Sequence, residues 1–158
     1  MQKTNRLLEQ ASELVSLEEF DEAFDIYNKI LKKEPKNISA LIDKAVTLQR
    51  IGKNAQAFIL FNRVLKIETE NIDALIGKGS ILHAQKKFSD AITCYDSILN
   101  IKPKFPMALA YKGLSLAEQG KINDALKYFK KALLIDKNYD LAQISKKRVL
   151  ELLKSKKS

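Results

Sequence analysis

The sequence predicts an all-α chain of four helix–turn–helix units closed by one further helix. Three observations predict it. Whole columns of residues recur every 34 positions. Within each recurrence the apolar residues follow single-faced helical spacing. Only 5 Gly and 3 Pro stand among 158 residues, too few for a linker-rich or low-complexity chain.

The columns are consistent. Leu7, Leu41, Leu75 and Leu109 form one; Ala11, Ala45, Gly79 and Gly113, always small, form another. Leu14, Leu48, Leu82 and Leu116 follow, then Ala23, Ala57, Ala91 and Ala125. Tyr27, Phe61, Tyr95 and Phe129 are always aromatic, and Leu31, Leu65, Leu99 and Leu133 close the set. In the third unit Leu75, Gly79 and Leu82 lie at i, i+4, i+7, and Ala91, Tyr95, Ile98 and Leu99 at i, i+4, i+7, i+8. The polar breaks LEEFDE, IGKNAQ, QKKFSD and QGKIND separate the two helices of each unit. Pro35 and Pro103 stand where a helix must stop, since proline cannot continue one. Asn37, Asn71 and Asn138 mark the same connections.

On these columns the chain resembles the tetratricopeptide repeat family, with ALIGKGSILHAQKKFSDAITCYDSILNIKP and ALAYKGLSLAEQGKINDALKYFKKALLIDK the nearest stretches. The first bulky column, often Trp in the family, is Leu throughout. The slot before the small residue is Gln10, Lys44, Lys78 and Lys112 rather than Leu. The resemblance implies a right-handed superhelical solenoid. Its repeats are expected at 4–37, 38–71, 72–105 and 106–139 within a domain spanning 1–139, followed by a capping helix at 140–154 and a basic tail at 155–158. Such a cap needs a polar outer side. Leu141, Ala142, Val149 and Leu150 are expected to supply its inner face.

Composition limits function. One cysteine, Cys94, allows no internal disulfide. No apolar run reaches the ~20 residues that span a bilayer, and the N-terminus lacks a signal-peptide core; a soluble, cytoplasmic protein is expected. The net charge is +9, all of it in residues 72–158, which hold 17 Lys/Arg against 8 Asp/Glu. Such asymmetry suits an acidic partner, nucleic acid or a membrane surface. Lys78, Lys112, Lys146, Lys147 and Arg148 are the candidate basic patch. Aromatics such as Tyr95 and Phe129 fall in core columns, and no aromatic–basic interleaving of the single-strand binders is read, which speaks against nucleic acid.

Catalysis is not expected. DALIGKGSILHAQ looks like a phosphate loop, but Gly77-Lys78 is followed by Gly79 and the stretch reads as mid-helix. His83 has no second ligand at metal spacing, and no cofactor is expected.

Binding is expected along the first helices. Leu8, Ile42, Ile76, Ala110 and Ile144 repeat the 34-residue period one position beyond the core column, about 100° around the helix. Met107, Ala110, Leu114 and Ala117 continue this stripe in the fourth unit. By resemblance it lines the concave groove. Val46 and the polar Asn5, Ser12, Ser39, Gln49, Arg50, Asp73, Ser80 and His83 are expected beside it. An apolar spine with scattered hydrogen-bonding groups suits a protein partner's extended or amphipathic segment. Gly77, Ser80 and Ala84 form a small-residue strip, read as a shallow recess because packing gives no reason for Gly77. The Lys and Asn clamp by which co-chaperones of the family grip a terminal carboxylate is missing: Leu8 with Ser12, Asp43, and Asp73 with Gly77 stand in its slots. No chaperone tail of that type is expected. Self-association is a further possibility.

Overall fold

The computed structural model describes residues 2–155; of the tail at 155–158, residues 156–158 lie outside the described residues. Nine α-helices and no strand occur among the described residues. They are α1 (Gln2–Ser16), α2 (Phe20–Lys33), α3 (Ile38–Arg50), α4 (Asn54–Ile67), α5 (Ile72–Ala84), α6 (Phe88–Ile101), α7 (Pro106–Glu118), α8 (Ile122–Ile135) and α9 (Asp140–Ser155). The chain divides into two compact units, residues 1–77 and 78–158, with the division inside α5.

Local chemistry sets the helix ends. Asn37 Oδ1 accepts from the Ala40 amide at 2.9 Å, and Asn71 Oδ1 from the Ala74 amide at 3.0 Å, capping α3 and α5. An Asn cap satisfies one of the four orphan donors of a helix start. Pro106 opens α7, where its missing N–H costs nothing. The turn inside each pair carries a left-handed residue: Glu18 (φ 63°), Gly52 (77°), Lys86 (60°) and Gly120 (76°). The Lys53 amide then reaches Leu48 O at 2.8 Å and the Lys121 amide Leu116 O at 2.9 Å, the six-to-one bond of a Schellman stop.

In the first unit, α1 packs on α2 and α3 on α4. Ala11, Ala23, Ala45 and Ala57 are fully buried, so the helix axes approach closely around them. Tyr27 and Phe61 fill the space between. The Tyr27 hydroxyl is bonded to the Thr47 side chain, and Thr47 Oγ1 donates to Asp43 O at 2.7 Å. Burial, then the charge of Asp73, raises the pKa of Asp43 above the usual carboxylate value.

Gly77 belongs to this core, and the expected recess is filled. A Cβ at Gly77 would lie 2.2–2.6 Å from three atoms of the Phe61 ring, and Gly77 itself is buried. The ring needs a residue without a side chain there, which offsets the roughly 1 kcal/mol that an interior glycine costs a helix.

In the second unit, α6 packs on α7, α7 on α8, and α8 on α9. The Tyr95 and Phe129 rings press against Gly79 and Gly113, where a Cβ would lie 2.7 Å from the nearest ring atom in each case. Tyr95 also stacks on Tyr111, centroids 5.6 Å apart at 17°. On α9, Ala142, Ser145 and Val149 are buried. Leu150, expected inside, is 39% exposed. It shares an outward face with Gln143 and Lys147, the three positions that repeat Leu109, Gly113 and Leu116.

Two outcomes test this packing. Gly77→Ala should lower stability by about 1–2 kcal/mol, since overpacking outweighs the helix-propensity gain. In a Phe61→Leu background the same change should become neutral or stabilising. Urea unfolding of the four proteins measures the coupling, and additive effects reject the contact. For Asp43, a raised folded-state pKa means that the ionised form costs stability at neutral pH. That cost falls as pH drops through the folded pKa and is gone below the unfolded value of about 3.9. Asp43→Asn should therefore melt higher at pH 7, with the advantage vanishing near pH 3.5; an advantage that persists there rejects the ionisation account.

Candidate peptide-binding groove

The stripe expected along the first helices is not uniformly open. In the first unit Leu8, Ile42 and Ile76 are half-buried and Val46 is 52% exposed. Asn5, Ser12, Ser39 and Asp73 are exposed, and Gln49 is half-buried. Arg50 is exposed but engaged: its guanidinium donates to Val15 O at 3.2 Å, pairs with Glu18 at 3.6 Å and lies 5.6 Å from the Phe20 centroid. It pins α3 to the turn between α1 and α2, and serves packing before any partner.

In the second unit Ala110 is fully buried, within the cluster that holds Ala142 and Val149. It offers no surface, which corrects its placement in the groove, as burial corrects that of Gly77. His83 is half-buried, with Nδ1 2.9 Å from Ser115 Oγ and its ring edge-on to Phe88 at 5.2 Å. That bond joins α5 to α7 and supplies the fully buried Ser115 hydroxyl with a partner. Ser80 and Met107 are half-buried.

The stripe opens between α7 and α9. A trough of about 520 Å³ is lined there by Leu114 and Ala117 of α7, Ile122 at the start of α8, and Leu141, Ile144 and Leu152 of α9. Ile144 is 67% and Leu152 51% exposed. Glu118 and Arg148 supply its charges. The cause is local: α9 turns Ala142 and Val149 into the core shared with α7 and α8, which leaves Ile144 and Leu152 beside the contact rather than in it. Leu152 was missed because the stripe was followed on α9 through Ile144 alone, and Leu141 was expected instead on the inner face of the cap.

The five candidate basic residues do not form one patch. Arg148 lines the trough, whereas Lys146 and Lys147 stand with Leu133 and Leu150 beside the outer side of α9. Lys112 points the other way and pairs with Asp96 of α6. Lys78 is half-buried near Cys94. In the first unit Lys44, of the same column as Lys112, donates to Asn28 Oδ1 at 2.6 Å. Lys44 and Lys112 reach back to the preceding second helix, not into the groove.

Among the described residues no group of three metal-ligating side chains occurs, and no helix is long and apolar enough to cross a membrane. Cys94 is buried, and burial raises its thiol pKa above the usual value.

Residues 72–105 and 106–139 each match a family model described as a tetratricopeptide repeat. No curated protein matches the chain. A MamA protein of known structure is 21% identical and superposes with a TM-score of 0.81, over 94% of this chain and 81% of its own. PilF of Pseudomonas aeruginosa is 18% identical, with a TM-score of 0.85 over 96% and 69%. The first tetratricopeptide domain of Spaghetti (RPAP3), solved with the HSP90 peptide SRMEEVD, is 17% identical, with a TM-score of 0.69 over 73% and 92%. These likenesses fix the fold as an all-α helical repeat, and the two matches show that residues 72–139 are tetratricopeptide repeats.

Proposed function

We propose that the chain is a non-enzymatic, cytoplasmic adaptor whose trough between α7 and α9 holds an amphipathic helical segment of a partner protein. The observation that carries the reading is the 520 Å³ apolar trough, with two large aliphatic side chains left open to water. Contiguous apolar exposure of this kind marks an interaction site. A helix laid in a groove buries residues at i, i+3, i+4 and i+7, and Leu114, Ala117, Ile144 and Leu152 give such a stripe a floor. Arg148 at the trough pairs with an Asp or Glu beside the partner's apolar stripe, and the opposing charge of Glu118 is outweighed by the basic excess of the unit. Residues 78–158 carry 17 Lys/Arg against 7 Asp/Glu, which favours the same partner.

The peptide-bound Spaghetti structure supports peptide capture as a use of this fold. A carboxylate tail is not the occupant proposed. Asp43 and Asp73 stand in clamp slots and would repel it, and Gly77 is sealed by Phe61. The four helix pairs α1–α2, α3–α4, α5–α6 and α7–α8 are read as four repeats, with α9 as a capping helix whose outward face carries Gln143 and Lys147 beside Leu150.

Peptides selected from a random display library against the chain should carry apolar residues at three- and four-residue spacing with acidic neighbours. In an NMR titration they should shift the amides of Leu114, Ala117 and Ile144. Ile144→Asp/Leu152→Asp should weaken them at least tenfold with helicity unchanged, since both side chains are already mostly open to water. Selected peptides that leave those amides unmoved reject the trough as the site.

A further inference from the structure

A second depression lies on the other side of α7. Leu114 and Lys112 are two residues apart, so they point about 200° apart around the helix. Lys112 faces α6 and α8, and two cavities of about 540 and 450 Å³ meet around it, sharing Lys112, Tyr128 and Lys131. The Lys112 ammonium bonds Asp96 and sits 4.4 Å from the Tyr128 centroid; Lys131 lies 5.2 Å from the same centroid. Lys127 is paired with Asp124 at 3.1 Å.

The two carboxylates of the depression are thereby matched. Lys104, Lys121 and Lys131 also line it, and among the described residues none has a carboxylate within 4.0 Å. Three uncompensated ammonium groups around one cleft raise the local concentration of anions. One end of the cleft is apolar. Pro103, Leu134 and Ile135 line it, with Leu134 81% and Ile135 42% exposed.

We infer that this cleft binds an acidic peptide segment, with an apolar side chain seated at Leu134 and carboxylates along Lys131 and Lys121. Charge complementarity selects an anion, and the apolar end selects a peptide over a nucleic acid. A phosphate backbone has no use for exposed leucine. Single-strand binders stack bases on open aromatic faces, and Tyr128 is already attended by two lysine ammonium groups. The site does not depend on the trough between α7 and α9; the two lie on opposite sides of one helix.

The test is fluorescence polarisation with the full chain and a labelled peptide of alternating Glu and Leu. Lys121→Glu/Lys131→Glu should weaken binding at least tenfold, and Leu134→Ser at least threefold. Lys137→Glu/Lys147→Glu, with the same change in net charge elsewhere on the unit, should change it less than twofold. So should Ile144→Asp/Leu152→Asp. Raising salt from about 0.1 M to 0.5 M should weaken the wild-type complex severalfold, because exposed charges are screened. Circular dichroism confirms folding of each variant, and Lys121→Gln/Lys131→Gln repeats the loss without charge reversal. Equal losses from both lysine pairs, or a single-stranded oligonucleotide of equal charge that binds more tightly than the peptide, would overturn the assignment.

Discussion

The structure depends on one contact: an aromatic ring from a second helix driven against a residue without a side chain. Phe61 meets Gly77, Tyr95 meets Gly79 and Phe129 meets Gly113, and at all three glycines even a methyl group would stand within 2.7 Å of a ring atom. Each ring is fully buried. Burying such a ring is worth roughly 2–3 kcal/mol, far above the penalty for glycine in a helix. The alanines at 23, 57, 91 and 125 let the second helices come close enough for the rings to reach. Within each unit, substitutions at these positions act on the adjoining helices as well, because neighbouring helix pairs stabilise one another.

That contact also decides which surfaces remain. α7 turns Leu109, Gly113 and Leu116 to the core, which leaves Leu114 and Ala117 on one side and Lys112 on another. Lys112 spends its charge on Asp96 and its stem on packing, as long basic side chains do beside apolar surface. α7 therefore has three distinct faces: one in the core, one apolar beside α9 and one carrying Lys112.

This explains what was legible. Helix number, order and core columns follow from the 34-residue period, because packing imposes the same demand in every unit. The left-handed turn column was not read, since only Gly52 and Gly120 announce it; Glu18 and Lys86 adopt the same backbone under the pull of the flanking bonds. The column Ala40, Ala74, Ala108, Ala142 was overlooked although it is invariant and fully buried. Gly77 was misread because its column, Glu9, Asp43, Gly77, Tyr111, shows no rule. The rule lies in the pair: tyrosine at 27 finds Thr47, tyrosine at 95 stacks on Tyr111, and phenylalanine at 61, without a hydroxyl, takes the space over Gly77. A column read alone cannot reveal a dependence that runs between columns.

Ala110 departs from the expected stripe for a related reason. Periodicity places a side chain on a face but does not say how close the next element comes. Leu8, Ile42, Ile76, Ala110 and Ile144 share a position, yet within the second unit alone their exposure runs from 0% at Ala110 to 67% at Ile144. Ala110 belongs to the buried cluster that includes Ala142 and Val149, so α9 closes over it; nothing comparable covers Ile144. An apolar residue of the same column is thus core in α7 and exposed surface in α9. Within the second unit, the packing of α9 therefore decides which members of the stripe stay open to water.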